Sequence, residues 1–415
     1  LNLYGIVILS ALLFEYALNL AAEALNLARL EEDLPEEMSG VYNAEIYRKS
    51  QEYTRVTTRF GIVTSTFGLA VTLTFWFAAG FNTLDQWVRN WGFGPVPTGL
   101  AYIGLLLLFR ALFSLPFSVY ATFVIEERFG FNRTTPLTFL ADRTKGLLLS
   151  ILLGGPLLAL LLLFFEYAGP HAWLYAWLLG TLYILFIQFV APTWIMPLFN
   201  KFEPLGAGEL RERIFAYAGS VDFPIENVFV MDGSRRSSKS NAFFTGFGRH
   251  KRIALFDTLI AKHTVPELVA VLAHEIGHYK KKHIAQGIVL SIFHMGLMFF
   301  LLSFFLKNPG LYEAFYMETQ SVYAGLLFFG LLFTPVEFIL SIFFQLLSRH
   351  NEYEADRFSA ATIDRPEAMA EALKKLSAHN LSNLTPHPFY VFLNYSHPPV
   401  LERIRAIRRR KRIAV

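Results

Sequence analysis

Seven stretches of this chain stay apolar for about twenty residues or more, and they constrain its fold more than any other feature: residues 3–25, 61–80, 99–123, 146–168, 172–194, 284–306 and 321–347. A helix rising 1.5 Å per residue needs about 20 residues to cross ~30 Å of hydrocarbon. Runs of this length therefore predict an α-helical integral membrane protein with multiple spans. The first run lacks the basic leading region of a cleaved targeting peptide and carries Glu15, Asn19 and Glu23, so it reads as a span. Charged residues make up 17% of the chain, against about 25% in soluble proteins. The 415 residues contain no Cys, which excludes disulfides, thiolate metal ligands and a cysteine nucleophile. A net charge of +4 is too small for a nucleic-acid-binding field, so no nucleic-acid partner is expected.

Basic residues in the connecting segments alternate strictly. Segment 29–60 holds five, 81–98 holds only Arg89, 124–145 holds four, 169–171 holds none and 307–320 holds only Lys307. The positive-inside rule then places the N-terminus outside, with segments 29–60, 124–145, 195–283 and the tail 348–415 in the cytoplasm. The tail is expected to be helical, and its basic run 408–412 reads as an anionic-lipid contact. Glu15, Arg110, Gln188, His294, Glu337 and Gln345 fall within spans. Charges at that depth usually face a bundle interior or a wet cavity. Arg110 and Glu337, at mid-span, point to a water-filled interior, whereas Glu166 and Gln345 suit snorkelling. The chain divides into 1–194 (spans one to five), 195–283 (a mixed helix and strand segment), 284–347 (spans six and seven) and 348–415. Residues 227–231 and 252–256 read as short buried strands, and SNAFFTGFG (240–248) as a strand ending in a turn.

Residues 274–278 read HEIGH, an H-E-x-x-H match. Positions i and i+4 share a helix face, so His274 and His278 can bind one Zn²⁺ while Glu275 serves as general base. Pro266 opens the helix, and Leu268, Leu272 and Ile276 recur at every fourth position. A third ligand is needed, with one position left open. Glu352 in NEYEAD (351–356) is the candidate, because spans six and seven go out and return, bringing HEIGH and NEYEAD to one membrane face. Asp356, one turn on, is placed to accept a hydrogen bond from a ligand histidine. Glu354 falls on another face and reads as a solvated carboxylate.

HEIGH, NEYEAD, SNAFFTGFG, YSHPPVLERI (395–404), PEEMSGVYNAEIYRKSQEYTR (35–55) and FVIEERFGFNRTT (123–135) together resemble the type I CaaX prenyl endopeptidases, integral-membrane zinc metalloproteases of the gluzincin kind. The resemblance covers nearly the whole chain. It implies seven transmembrane helices forming a barrel around a water-filled chamber, and a mainly helical zinc metalloprotease domain with a small β-sheet on the cytoplasmic side. It implies one Zn²⁺ on His274, His278 and Glu352, with Glu275 as base, and a substrate that is a peptide or protein, prenylated or membrane-associated. His397 and Arg403 match positions that steady the transition state, and Asn241 and Ala242 match a strand that docks substrate backbone. Asn241, Ala242 and Phe243 are then expected to form an open edge beside the metal. From the residues alone, the alternatives are a buried turn at His397 ahead of Pro398 and Pro399, a basic helix end near the membrane for Arg403, and core for Ala242, Phe243 and Phe244. The tail KRIAV carries no endoplasmic reticulum retrieval signal, and with the short loops it points to a prokaryotic inner membrane. Rival functions are a quality-control protease for damaged membrane proteins and a non-catalytic scaffold or channel with a vestigial metal site. Glu275 argues against the latter, since only turnover requires a base.

Overall fold

The structure is a computed structural model that describes residues 1–30, 33–245 and 252–411. The end of the 240–248 segment, Arg412 of the basic run and the last residues of the tail lie outside the described residues.

Seven helices are long and apolar enough to cross a membrane: Leu3–Ala28, Ala44–Phe77, Pro95–Glu126, Pro136–Tyr167, Gly169–Phe199, His283–Phe305 and Val322–Thr362. All seven expected spans are present, but three helices run well past the apolar run. The second begins at Ala44, so Arg48, Lys49, Arg55 and Arg59 ride on its extension rather than in a loop. The fourth begins at Pro136, whose preset backbone suits a first helical turn. The seventh runs 41 residues to Thr362, because no Gly or Pro follows Pro335 within it. At 1.5 Å per residue it is about 60 Å long, roughly twice the hydrocarbon thickness. NEYEAD is thus the continuation of the last span, in one unbroken helix with it.

Each span packs on its sequence neighbours, and the first closes the ring against the seventh. Phe67 with Phe113 and Phe117 ties span two to span three. Only 6–17% of the residues in the apolar windows are buried. A solid seven-helix bundle would bury an inward stripe on each helix, so these helices are open both outward to lipid and inward to a central chamber. One end is plugged by aromatic packing of Trp76, Phe81, Tyr102, Phe315 and Phe328. There Asp85 accepts from Arg89 Nε at 2.7 Å and from the Tyr323 hydroxyl. Inside the ring Glu337 Oε2 lies 2.9 Å from His294 Nε2, pairing span seven with span six, while Arg110 is exposed. Gln345 does not snorkel. Its Nε2 donates to the Leu393 carbonyl at 2.8 Å and docks the short helix Pro388–Asn394.

The other end of the ring carries a four-stranded sheet and short helices. The strands are β1 (Phe202–Pro204), β2 (Val228–Met231), β3 (Ala242–Thr245) and β4 (Arg252–Phe256), in the order β1-β2-β4-β3. β2 and β4 pair in parallel with Val228 opposite Ile253, and both outer pairs are antiparallel. β3 is therefore an edge strand.

Cysteine labelling checks which end faces the cytoplasm, and the native chain has no Cys to interfere. Ser50, within the basic segment, is fully buried against Ser382, so probes belong elsewhere. Ala207 on the sheet side and Thr319 on the plugged side are both exposed. A Cys at Ala207 is expected to react only with reagent in the cytoplasm, and one at Thr319 only from the opposite face. The reverse pattern would invert the orientation drawn from the basic residues.

Candidate metal centre

HEIGH lies in the helix Val265–Lys280. Glu267 Oε2 accepts from the Thr264 N–H at 2.9 Å and so caps the helix start, and Glu267 also pairs with Lys375 Nζ at 2.7 Å. Leu268, Leu272 and Ile276 enter the core beneath the sheet, as the fourfold spacing predicts. This helix crosses the extended seventh span closely. A Cβ on Gly277 would stand 3.1 Å from the Ala355 Cα and 3.2 Å from its carbonyl oxygen. Ser359 Oγ donates to the Ala270 carbonyl at 2.8 Å across the same crossing. Gly277, the glycine of HEIGH, therefore sets how near Glu352 can come to the two histidines. Gly277→Ala is expected to force backbone apart, lowering stability by about 1–3 kcal/mol and weakening metal binding. Thermal unfolding and chelator competition measure both, and no change in either would show the crossing to be slack.

The crossing brings His274, His278 and Glu352 together, with one ligand atom from each lying within 4.8 Å of the others. The two Nε2 atoms are 3.1 Å apart; Glu352 Oε2 lies 3.4 Å from His274 Nε2, and Oε1 lies 3.3 Å from His278 Nε2. Ligand atoms about 2.0–2.1 Å from a tetrahedral Zn²⁺ stand roughly 3.3 Å from one another, so the donor set fits that ion. Glu352 Oε2 is buried and makes no hydrogen bond, as a metal-directed oxygen would be left. Asp356 Oδ1 lies 3.0 Å from His274 Nδ1, the placement expected from its spacing. Glu275 sits between the histidines on the cavity side of the helix. Burial pushes its carboxyl above the ordinary carboxylate range, an effect the two neighbouring imidazoles oppose.

His397 and Arg403, six residues apart, both reach the cluster, each at a different oxygen of Glu352. Arg349, on the seventh span, donates to the carbonyls of Val391 and Tyr395 and so holds the turn in which His397 sits. His397 Nε2 comes to 3.4 Å from Glu352 Oε1, while its Nδ1 meets Ser396 Oγ at 2.9 Å. The ring is 63% exposed and free to touch a substrate. Arg403 is buried. Its Nε and Nη2 donate to the two Asp356 oxygens at 2.8 and 2.7 Å, and Nη1 lies 3.3 Å from Glu352 Oε2. The guanidinium thus faces the carboxylates behind the cluster.

Glu354 is not merely solvated. Its Oε2 lies 3.2 Å from His283 Nε2, and His283 Nδ1 lies 3.0 Å from His278 Nδ1. Sequence reading passed over His283, Arg349 and the Gly277 contact. The signal for His283 was the third histidine of H-x3-H-x4-H, hidden by the break between two helices at Lys282, whose φ is +61°.

At the start of β3, the Phe256 N–H donates to the Asn241 carbonyl at 3.1 Å. Antiparallel alternation then turns the Ala242 N–H away from β4, and it donates instead to Asn241 Oδ1 at 2.8 Å. Asn241 is exposed, and Ala242 and Phe243 are half-buried. A cavity of about 450 Å³ runs from Glu275, His278 and His283 along Leu290, His294 and Phe344 into the wall of spans six and seven.

A paired-histidine helix completed by a carboxylate from a membrane-spanning helix, at the mouth of a chamber inside the ring, is the arrangement of a membrane-embedded metallopeptidase. Comparisons with known proteins agree. Residues 23–201 match the CAAX prenyl protease N-terminal domain, described as five membrane helices, and residues 204–411 match Peptidase family M48. The chain belongs to peptidase family M48. The CAAX prenyl protease 1 homolog of Oryza sativa subsp. japonica is 37% identical over 90% of each chain. CAAX prenyl protease 1 of Saccharomyces cerevisiae is 35% identical, over 91% of this chain and 89% of that one. The crystal structure of S. mikatae Ste24p matches with a TM-score of 0.93 at 32% identity, covering 98% of this chain and 99% of that one. The expected class, a helical membrane metalloprotease resembling the CaaX-processing enzymes, holds, as does the barrel around a chamber.

Proposed function

We propose that the protein is a zinc endopeptidase that cuts near the C-terminus of membrane-associated substrates bearing a prenyl group, with its active site toward the cytoplasm. The observation that carries this reading is the His274–His278–Glu352 cluster opening directly into a cavity lined by two spans. The relatives are CAAX prenyl proteases, which supports the substrate class, and the apolar side of the cavity, with Leu290 and Phe344, suits a lipid adduct. His274, His278 and Glu352 would hold Zn²⁺. When bound, it supplies Lewis acidity and lowers the pKa of water toward ~7.

The other steps belong to the chain's own groups. Glu275 takes the proton from the attacking water and later gives it to the leaving nitrogen. His397 Nε2 donates toward the carbonyl oxygen as it gains charge, with the Ser396 hydroxyl on Nδ1 fixing that tautomer. Asn241, Ala242 and Phe243 receive the substrate as an added strand. Its carbonyl then competes with Asn241 Oδ1 for the Ala242 N–H. Ala242→Pro removes that donor at an edge, where proline is tolerated. It is expected to lower kcat/KM with little change in metal content or thermal stability, and a matching loss of stability would make the strand core. The short loops support a prokaryotic cytoplasmic membrane as the location.

The decisive experiment compares peptides that differ only in prenylation of the cysteine before the final three residues, with purified protein in detergent. Cleavage confined to the prenylated peptide is the expected result. Equal cleavage of both, or cleavage only of unfolded membrane proteins, would replace this substrate class with a quality-control one.

A further inference from the structure

We propose that His283 and Glu354 form a relay that fixes the ring of His278 in its metal-binding tautomer, so that each ligand histidine is held by its own carboxylate on the seventh span. The geometry allows one proton arrangement. For His278 to present a lone pair at Nε2, its Nδ1 must carry the hydrogen. His283 Nδ1, 3.0 Å away, must then accept. That leaves the His283 hydrogen on Nε2, where it donates to Glu354 Oε2 at 3.2 Å. A doubly protonated His283 would set two N–H groups against each other, so the ring is neutral in the loaded site. The His283 side chain is only 7% exposed, so these partners are its main polar contacts. Among the described residues, Arg357 Nη2 at 3.7 Å and His350 Nε2 at 3.9 Å also approach Glu354, and the Lys281 charge acts on it.

The relay parallels the direct contact on the other ligand, His274 Nδ1 to Asp356 Oδ1 at 3.0 Å. Glu352, Glu354 and Asp356 stand at i, i+2 and i+4 of one helix. The middle one points away from the other two and cannot reach a ligand histidine alone. Lys282, with its left-handed backbone, turns the chain so that His283 opens the sixth span beneath His278 and bridges the gap. Partners of this kind typically contribute 10–100-fold to metal affinity.

The proposal rests on His278 being a metal ligand, and the experiment separates the two claims. Full-length protein in detergent is stripped of metal, and Zn²⁺ affinity is measured by chelator competition. The Co²⁺-loaded visible spectrum and the unfolding temperature of the metal-free protein are recorded alongside. His283→Phe keeps a flat aromatic ring without nitrogen and is expected to weaken Zn²⁺ about 10–100-fold and alter the Co²⁺ spectrum, with metal-free stability little changed. His283→Asn keeps an acceptor near Nδ1 and is expected to recover most of the affinity. Glu354→Gln keeps an acceptor without charge and is expected to lose less than His283→Phe. Unchanged affinity and spectrum in His283→Phe, an equal loss in His283→Asn, or a loss matched by lower metal-free stability would each overturn the relay. Full Zn²⁺ affinity in His278→Ala would instead overturn the ligand assignment, and the relay with it.

Discussion

Glu275→Gln is expected to lower peptide cleavage by about 10²–10⁴-fold, the usual contribution of a positioned general base, while metal content and fold stay as in the wild type. Gln keeps the shape and one acceptor oxygen but cannot take up the proton. The residue is half-buried on the cavity side of its helix and is no part of the His274–His278–Glu352 cluster, so metal binding should survive its neutralisation. Single-turnover cleavage of a prenylated peptide, with metal analysis on the same samples, is the measurement. Wild-type turnover in this variant would end the general-base assignment. Loss of metal along with activity would show that the carboxylate helps to hold the ion.

Arg403→Met is expected to cost about 3–5 kcal/mol of stability, because it leaves a buried carboxylate without its partner. Asp356 is 1% exposed and takes two charge-assisted hydrogen bonds from the guanidinium, at 2.7 and 2.8 Å. The counter-charge of Glu352 can come from a metal, but that of Asp356 comes from Arg403. Pairing Arg403→Met with Asp356→Asn should return part of the loss, giving less than the sum of the two single costs. The measurement is thermal or denaturant unfolding beside kcat and KM. The family resemblance implies a transition-state role for Arg403. If that is its chief role, the single variant loses kcat with stability unchanged and the double variant recovers nothing.

The seven spans were legible because hydropathy over about twenty residues is a local property that a bilayer reads directly. Their helical extensions were less so. The helix Val322–Thr362 continues into charged sequence without changing conformation, and polarity marks the membrane boundary rather than the helix end. The HEIGH site was legible because an i, i+4 pair lies on one helix face in any context. Glu352 and Asp356 followed because the return of span seven to the same face limits where a carboxylate can meet that helix. Glu354 was misread for the same reason: helix spacing places it away from Glu352, and spacing says nothing of a histidine arriving from another helix to meet it. The edge strand was partly visible in SNAFFTGFG, but only the β2-β4-β3 order shows that β3 has a free side.

By itself, then, the sequence determined the elements and the candidate ligand types. These depend on periodicity and composition within single segments: seven apolar helices, a paired-histidine helix, a carboxylate cluster beyond the last span. The tertiary structure alone decided the distances and directions between segments. It brings Gly277 against Ala355 so that His274 and His278 reach Glu352, and turns Arg403 toward Asp356. It also sets His283 between His278 and Glu354, 71 residues apart from the latter in the chain. Such contacts join residues far apart along the chain. Their geometry follows from how two helices pack, which small residues at the crossing control and local propensity does not.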